Sequence, residues 1–418
     1  MPDEVDVIVY QGGLAGLVAG VLLARAGRHV LVVDSEEPVS VEASGFRFEP
    51  PHLFWGVGES GIVEQTLAGV GLDLCFLRAD PPLQVVTLDG RLTLLPPGEA
   101  LEWEIARVAP DAVGALQNLL ARFAQLTPFL VEYPAAQDGW RFFFRARMRR
   151  LSRLTLTELA RSHTLPPVIA EALAALVDVV FGSTGPAEPT AAQLAAAFHH
   201  LRSGFFSLEG GLQGLRGKLV AALLRAGGRR IETSRVRRVR TRPWEVRGVE
   251  TEEGLVRCRS LIEGSAEGSR IGSVGFRMDR RYLPSEMGPF VALRDGRQRA
   301  ESAAWPTILL GMGASSDGVM GEEDCLISLR FSRRDPCPVD EMVRVLEEVF
   351  PGWSRGIRQV EMGWVSGWSG LGNVTRGGWS LSPRRYRIPP THPLGGGTAG
   401  AIAVGQALAR RLLHGQGA

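Results

Sequence analysis

The sequence predicts an α/β fold: a Rossmann-like unit, with a βαβ opening and glycine-rich turns, interleaved with an α+β unit that contains a helical part. Three observations carry that expectation. Residues 5–34 read as an apolar strand, a glycine turn, an apolar helix and a second apolar strand. A second glycine-rich turn, in "THPLGGGTAGAIAVGQALARRLL", enters a helix at the other end of the chain. Between them a helical stretch gives way to alternating strand patterns, with no repeat or low-complexity linker to divide the chain in series.

In chain order, "VDVIVY" is a short buried strand and "LAGLVAGVLLARAG" a helix that stops at Gly27. "HVLVVD" is a second buried strand that ends in Asp34, 21 positions after Gly13. That is near the spacing at which a carboxylate accepts the hydroxyls of an adenosine ribose. The start of the helix, at Gly13 to Gly16, would turn free backbone N–H groups toward a pyrophosphate. Residues 105–175 carry helical periodicity in "DAVGALQNLLARFAQLTPFL" and "PPVIAEALAALVDVVF". "EGGLQGLRGKLVAALLRAGGRRIETSRVRRV" then reads as a glycine pair, a helix, a glycine stop and a strand containing Val236. Residues 285–335 alternate like strands, and residues 338–350 form another helix.

Composition narrows the function classes. The 418 residues allow about two domains with a substantial core. A 45% hydrophobic content and a mean hydropathy of +0.04 describe a globular chain. The net charge of +2 gives no mandate for nucleic acid, and Lys218 is the one lysine. Cys75, Cys258, Cys325 and Cys337 lie far apart with no metal-ligand spacing, which fits a reduced, cytoplasmic protein without zinc. The apolar run at residues 7–24 follows an acidic "MPDEVD", where a signal peptide needs a basic start.

The chain resembles the phytoene desaturase, protoporphyrinogen oxidase and amine oxidase superfamily of FAD-dependent oxidoreductases, most of all its phytoene-desaturase-related branch. Five stretches carry the resemblance: the βαβ opening, "GFRFEPPHLFWG" at 45–56, "FFSLEGGLQGL" at 205–215, the strand around Val236, and the glycine turn at 391–413. The resemblance implies a discontinuous FAD-binding domain of residues 1–70, 205–268 and 351–418, and a substrate domain of residues 71–204 and 269–350. It gives Gly13, Leu14, Ala15 and Gly16 to the pyrophosphate, Asp34 to the ribose and the backbone of Val236 to the adenine. Gly396, Gly397, Thr398 and Ala399 would open a helix under the flavin, where the positive helix end stabilises negative charge on the reduced ring. The Gly210–Gly211 pair would let backbone approach flavin or substrate closely.

Three departures weaken the cofactor signature. Gln11 stands where the first turn glycine is expected, so its side chain must point at the pyrophosphate or the turn must relax. "SEEPVSVEASGF" lacks the glycine pair that wraps the phosphates. Ile388 and Pro389 replace a glycine–aspartate pair, and no aspartate follows Asp340. Three lost contacts of about 1.5–3 kcal/mol each would lower nanomolar affinity to micromolar or below. FAD is therefore expected to be held weakly or lost.

Other candidates have bland readings beside the sharp ones. His199–His200 is expected at the surface or as a helix cap, and His392 as a positioning residue. The lack of any lysine besides Lys218 argues against the amine-oxidase branch, which often holds a water on a lysine. "RFFFRARMRR" at 141–150 reads equally as a peripheral membrane contact or as an exposed helix with a buried aromatic face. Trp364, Trp368 and Trp379 close over the flavin or pack an interface. Two functions stay open. One is a flavoprotein oxidoreductase moving hydride from a small apolar substrate, isoprenoid in type, with no nucleophile or metal. The other is a flavin-free relative that binds an apolar ligand, a membrane or a partner subunit.

Overall fold

The computed structural model describes residues 4–34, 40–43, 46–58, 61–87, 89–132, 151, 153–181, 188–242, 245–264, 270–294, 308–313, 323–331, 339–366, 380–382, 385–388 and 397–414. The apolar opening forms the strand β1 (Glu4–Tyr10), the helix α1 (Gly13–Arg25) and the strand β2 (Val30–Asp34), with β1 and β2 parallel. Nearly every residue of α1 is buried, because it packs on the sheet below and against the helices Gly211–Arg225 and Gly397–His414 on its other sides. A helix apolar on all sides needs such cover.

The first sheet grows on both edges of that unit from distant sequence. Arg229–Glu232 joins β2 in parallel, and Gly254–Glu263 joins β1 in parallel. Gly254–Glu263 continues an antiparallel meander with Glu245–Thr251 and Val236–Arg242, and its far end pairs in parallel with Arg385–Arg387. The face away from α1 buries Ile8, Leu31, Val33, Ile231 and Leu261.

A seven-stranded second sheet runs in the order Ile357–Ser366, Arg270–Asp279, Asp324–Phe331, Ile308–Gly313, Phe290–Arg294, Leu83–Thr87 and Gly90–Leu94. Ile357–Ser366 thus belongs with the second sheet, although the sequence reading puts all of residues 351–418 with the first. The strand can pair only where an antiparallel partner of equal length, Arg270–Asp279, lies open. One face of this sheet packs Val274, Phe276, Leu310, Ile327 and Leu329 on Met342, Leu346 and Trp353. The helical part consists, among the described residues, of Glu99–Val108, Val113–Glu132, Leu156–Ser162, Pro167–Phe181 and Ala191–Ser203. Arg294 ties it to the sheet by ion pairs with Glu171 and with Asp178, the latter at 2.5 Å.

Candidate functional site

The glycine turn between β1 and α1 is tight. The Gly16 N–H donates to the Gly12 carbonyl at 2.8 Å, the first bond of the helix, so the N–H groups of Gly13, Leu14 and Ala15 point past the helix end. A Cβ on Gly12 or on Gly16 would lie 2.6 Å from Val9 Cγ1, so helix and strand approach as closely as a dinucleotide turn requires. Gln11 does not relax the turn, one of the two alternatives that the sequence leaves open. It takes the left-handed conformation itself, at φ +49°, and its N–H still donates to Val33 O at 2.8 Å. Ile388 lies against the same turn: a Cβ on Gly12 would meet its Cδ1 at 3.1 Å, and one on Gly16 at 3.5 Å.

Asp34 ends β2 with a nearly buried carboxylate. Arg216 Nη2 lies 2.8 Å from its Oδ2 and Arg230 Nε lies 3.8 Å from the same oxygen. Both cations thus sit on one oxygen, and among the described residues no hydrogen bond reaches Oδ1. Val236 opens its strand and packs against the cluster of Leu31, Val33 and Ile231.

The Gly210–Gly211 pair makes room for a side chain of the protein itself. Glu49 accepts the N–H groups of Leu212 at 2.7 Å and Gln213 at 3.2 Å, and so caps the helix Gly211–Arg225. At Gly211, φ +65°, a Cβ would lie 2.2 Å from Glu49 Oε2, so only glycine leaves the carboxylate its place. Burial pushes the Glu49 carboxyl above its ordinary range.

The C-terminal helix begins at Gly397, and Thr398 and Ala399 are buried. Thr398 Oγ1 is 3.0 Å from His52 Nδ1, which joins the last helix to "GFRFEPPHLFWG" across 346 positions. Burial and the nearby Arg330 push the His52 imidazole down to about 3, so it is neutral. Its Nε2 is buried without a hydrogen-bond partner. His200, expected at the surface or as a helix cap, lies in the last turn of its helix but is buried, and it stacks on Trp55 with centroids 4.0 Å apart. Lys218 is exposed on its helix. Gly396, Pro389, His392, Trp368, Trp379, Cys337 and residues 141–150 lie outside the described residues, as does the Trp364 side chain.

Among the described residues no group of three or more His, Cys, Asp or Glu could hold a metal ion, and no helix is long and apolar enough to cross a membrane. Burial pushes the Cys258 thiol up to about 12, which makes it a poor nucleophile. The open N–H groups of α1, Asp34 Oδ1 and the start of the last helix fit the pyrophosphate, the ribose and the ring of FAD. Sequence reasoning missed Arg216, Arg230, Glu49, His52 and Arg330. Of these, Glu49 and His52 lie in "GFRFEPPHLFWG", Arg216 and Arg230 lie in the stretch that begins at the glycine pair, and Arg330 lies in no quoted stretch.

No protein-family model matches the sequence, and no curated protein does. Solved structures do resemble it. A putrescine oxidase with redesigned cofactor binding is 12% identical, with a TM-score of 0.68 over 98% of this chain and 99% of the oxidase. Cyclohexylamine oxidase from Brevibacterium oxydans is 13% identical, with a TM-score of 0.62 over 100% of both chains. RAB GDI from Plasmodium falciparum is 12% identical, with a TM-score of 0.60 over 98% of each chain. The chain therefore shares the mixed α/β, Rossmann-like fold of these two oxidases and of RAB GDI.

Proposed function

We propose that the protein is an FAD-dependent oxidoreductase acting on a small, largely apolar substrate, isoprenoid in type, and that it holds FAD weakly. One observation carries the reading: the first N–H groups of α1 point past the helix end, while both cations on Asp34, at the end of the neighbouring strand, sit on one carboxylate oxygen and, among the described residues, leave the other. In this reading Gly13, Leu14 and Ala15 hold the pyrophosphate and Asp34 the ribose, with Val236 beside the adenine. Residues 396–399 would hold the ring, with Thr398 steadied by His52. FAD, when bound, supplies a hydride acceptor. The chain itself then needs only to bind and orient the substrate and to exclude water. The division into a cofactor domain and a substrate domain belongs to the same proposal, with residues 357–366 assigned to the substrate side. So does peripheral membrane contact through residues 141–150.

The second reading, a flavin-free relative that binds an apolar ligand, a membrane or a partner subunit, is favoured by Ile388 lying against the glycine turn. The test is the visible spectrum of freshly purified protein, followed by FAD titration of wild type and Asp34→Ala. Micromolar binding that weakens at least tenfold in the variant, about 1.4 kcal/mol, is expected. No binding at millimolar FAD would establish the second reading instead.

A further inference from the structure

The second sheet presents a polar row on the face opposite its apolar core. Ser273, Arg330 and Leu309 stand opposite one another on three adjacent strands, and Gly275, Ser328 and Gly311 form the next row on the same face. Residues 48–52 cross this face. A Cβ on Gly275 would lie 2.0 Å from the Phe48 ring, and one on Gly311 would lie 2.5 Å from Pro51 Cβ. The two glycines let that segment lie flat on the sheet, which brings His52 over the row of Ser273 and Arg330.

Three polar groups there lack the partners that burial demands. Ser273 is fully buried and its Oγ has no hydrogen-bond partner. His52 Nε2 has none either. Among the described residues Arg330 has no hydrogen-bond or ion-pair partner, and burial pushes its guanidinium down to about 10. Arg330 is only half-buried by its accessible surface, so part of the side chain stays open to a ligand. A half-buried charge without a protein partner, set beside two buried polar atoms without one, marks a place where an anion can pair with it. The groups share one sign. Arg330 is a cation, Ser273 a hydroxyl donor, and the start of the helix Gly397–His414 the positive end of a dipole. Where Nδ1 accepts from Thr398 Oγ1, the neutral His52 ring carries its proton on Nε2 and donates too.

We infer that Arg330, Ser273 and His52 anchor the carboxylate of the substrate, which makes the substrate an apolar molecule with one carboxylate end. A single guanidinium neutralises a single negative charge, whereas a dianionic phosphate would keep one charge unpaired in the same buried place. The planar fork of Arg330 matches a planar carboxylate. The role as substrate anchor rests on the oxidoreductase reading; the carboxylate site itself does not.

Three probes of equal chain length separate head-group recognition from apolar burial: octanoate, octanol and octylammonium, titrated calorimetrically into the full-length protein. Wild type should bind octanoate at least tenfold more tightly than octanol, and octylammonium least. Arg330→Met should abolish the preference for octanoate, leave octanol binding unchanged, and raise the melting temperature of the ligand-free protein by removing an unpaired buried charge. Ser273→Ala, a smaller change, should lower octanoate affinity three- to tenfold. Equal binding of octanoate and octanol to wild type would overturn the inference without reference to any variant. Octanoate selectivity in a protein that binds no FAD would refute the oxidoreductase reading and uphold the carboxylate site. Loss of selectivity in a protein that does bind FAD would refute the site alone.

Discussion

Replacing Gln11 tests whether the cofactor turn is held at a cost. Its φ of +49° lies in the left-handed region, which costs a residue with a Cβ about 1–2 kcal/mol and costs glycine almost nothing. Gln11→Gly removes that strain but adds roughly 0.5–1 kcal/mol of backbone entropy to the unfolded chain. The net gain is about 0.5 kcal/mol. Gln11→Val works in the other direction, because a β-branched side chain is a far rarer occupant of this conformation; it should lose about 1–2 kcal/mol relative to glutamine. The decisive quantity is the difference between the two variants, about 2 kcal/mol, or roughly thirtyfold in the unfolding equilibrium constant. Urea denaturation followed by tryptophan fluorescence measures it. Glycine and valine variants of equal stability would show that position 11 does not take the left-handed conformation, and the account of the turn would fall with it.

Two further perturbations probe burial. Because the folded pKa of His52 is near 3 and the unfolded value near 6.5, the unfolded chain binds a proton first as pH falls. The stability of neutral His52 is thus complete above about pH 6.5 and is lost at up to ~1.4 kcal/mol per pH unit below it. Between pH 7 and pH 5 wild type should lose about 2 kcal/mol more than His52→Gln in chemical denaturation, and parallel losses would contradict the burial of the ring. In the helices, a Cβ on Gly405 would lie 2.5 Å from the Ala15 carbonyl, whereas one on Gly214 would meet nothing within 4 Å. Gly405→Ala should destabilise by about 1–2 kcal/mol despite its better helix propensity, and Gly214→Ala should stabilise by about 0.5–1 kcal/mol. Melting temperatures that move in the same direction for both would refute the close approach of α1 to the last helix.

The sequence made the opening readable because its information is local. The apolar periods of β1 and α1, the glycines between them and Asp34 at the end of β2 all fall within one βαβ unit. The strands at 290–294, 308–313 and 324–331 and the helix Val339–Val349 follow from their own periods in the same way. What stayed hidden depends on partners far apart in the chain. Glu49 caps a helix 163 positions away, Arg216 reaches Asp34 across 182, and Thr398 meets His52 across 346. Nothing near Glu49 marks it as a cap, and nothing near Arg330 shows that a sheet face will place it under a histidine. The burial of His200 is hidden for the same reason: a pair of histidines at a helix end gives no sign of the Trp55 ring that covers one of them.

The packing of α1 against the helix Gly397–His414 has a consequence for synthesis. The first helix leaves the ribosome early, apolar on almost every side. The element that covers it follows only from residue 397, and the strands that flank β1 and β2 begin only at residue 229. At 5–20 residues per second the nascent chain carries that uncovered helix for roughly 20–80 s. A chain with its two ends built into one layer cannot fold piecewise as it emerges. It depends throughout its translation on whatever shields exposed apolar segments in the cell, and a premature stop before residue 397 would release a polypeptide whose opening unit has nothing to fold against.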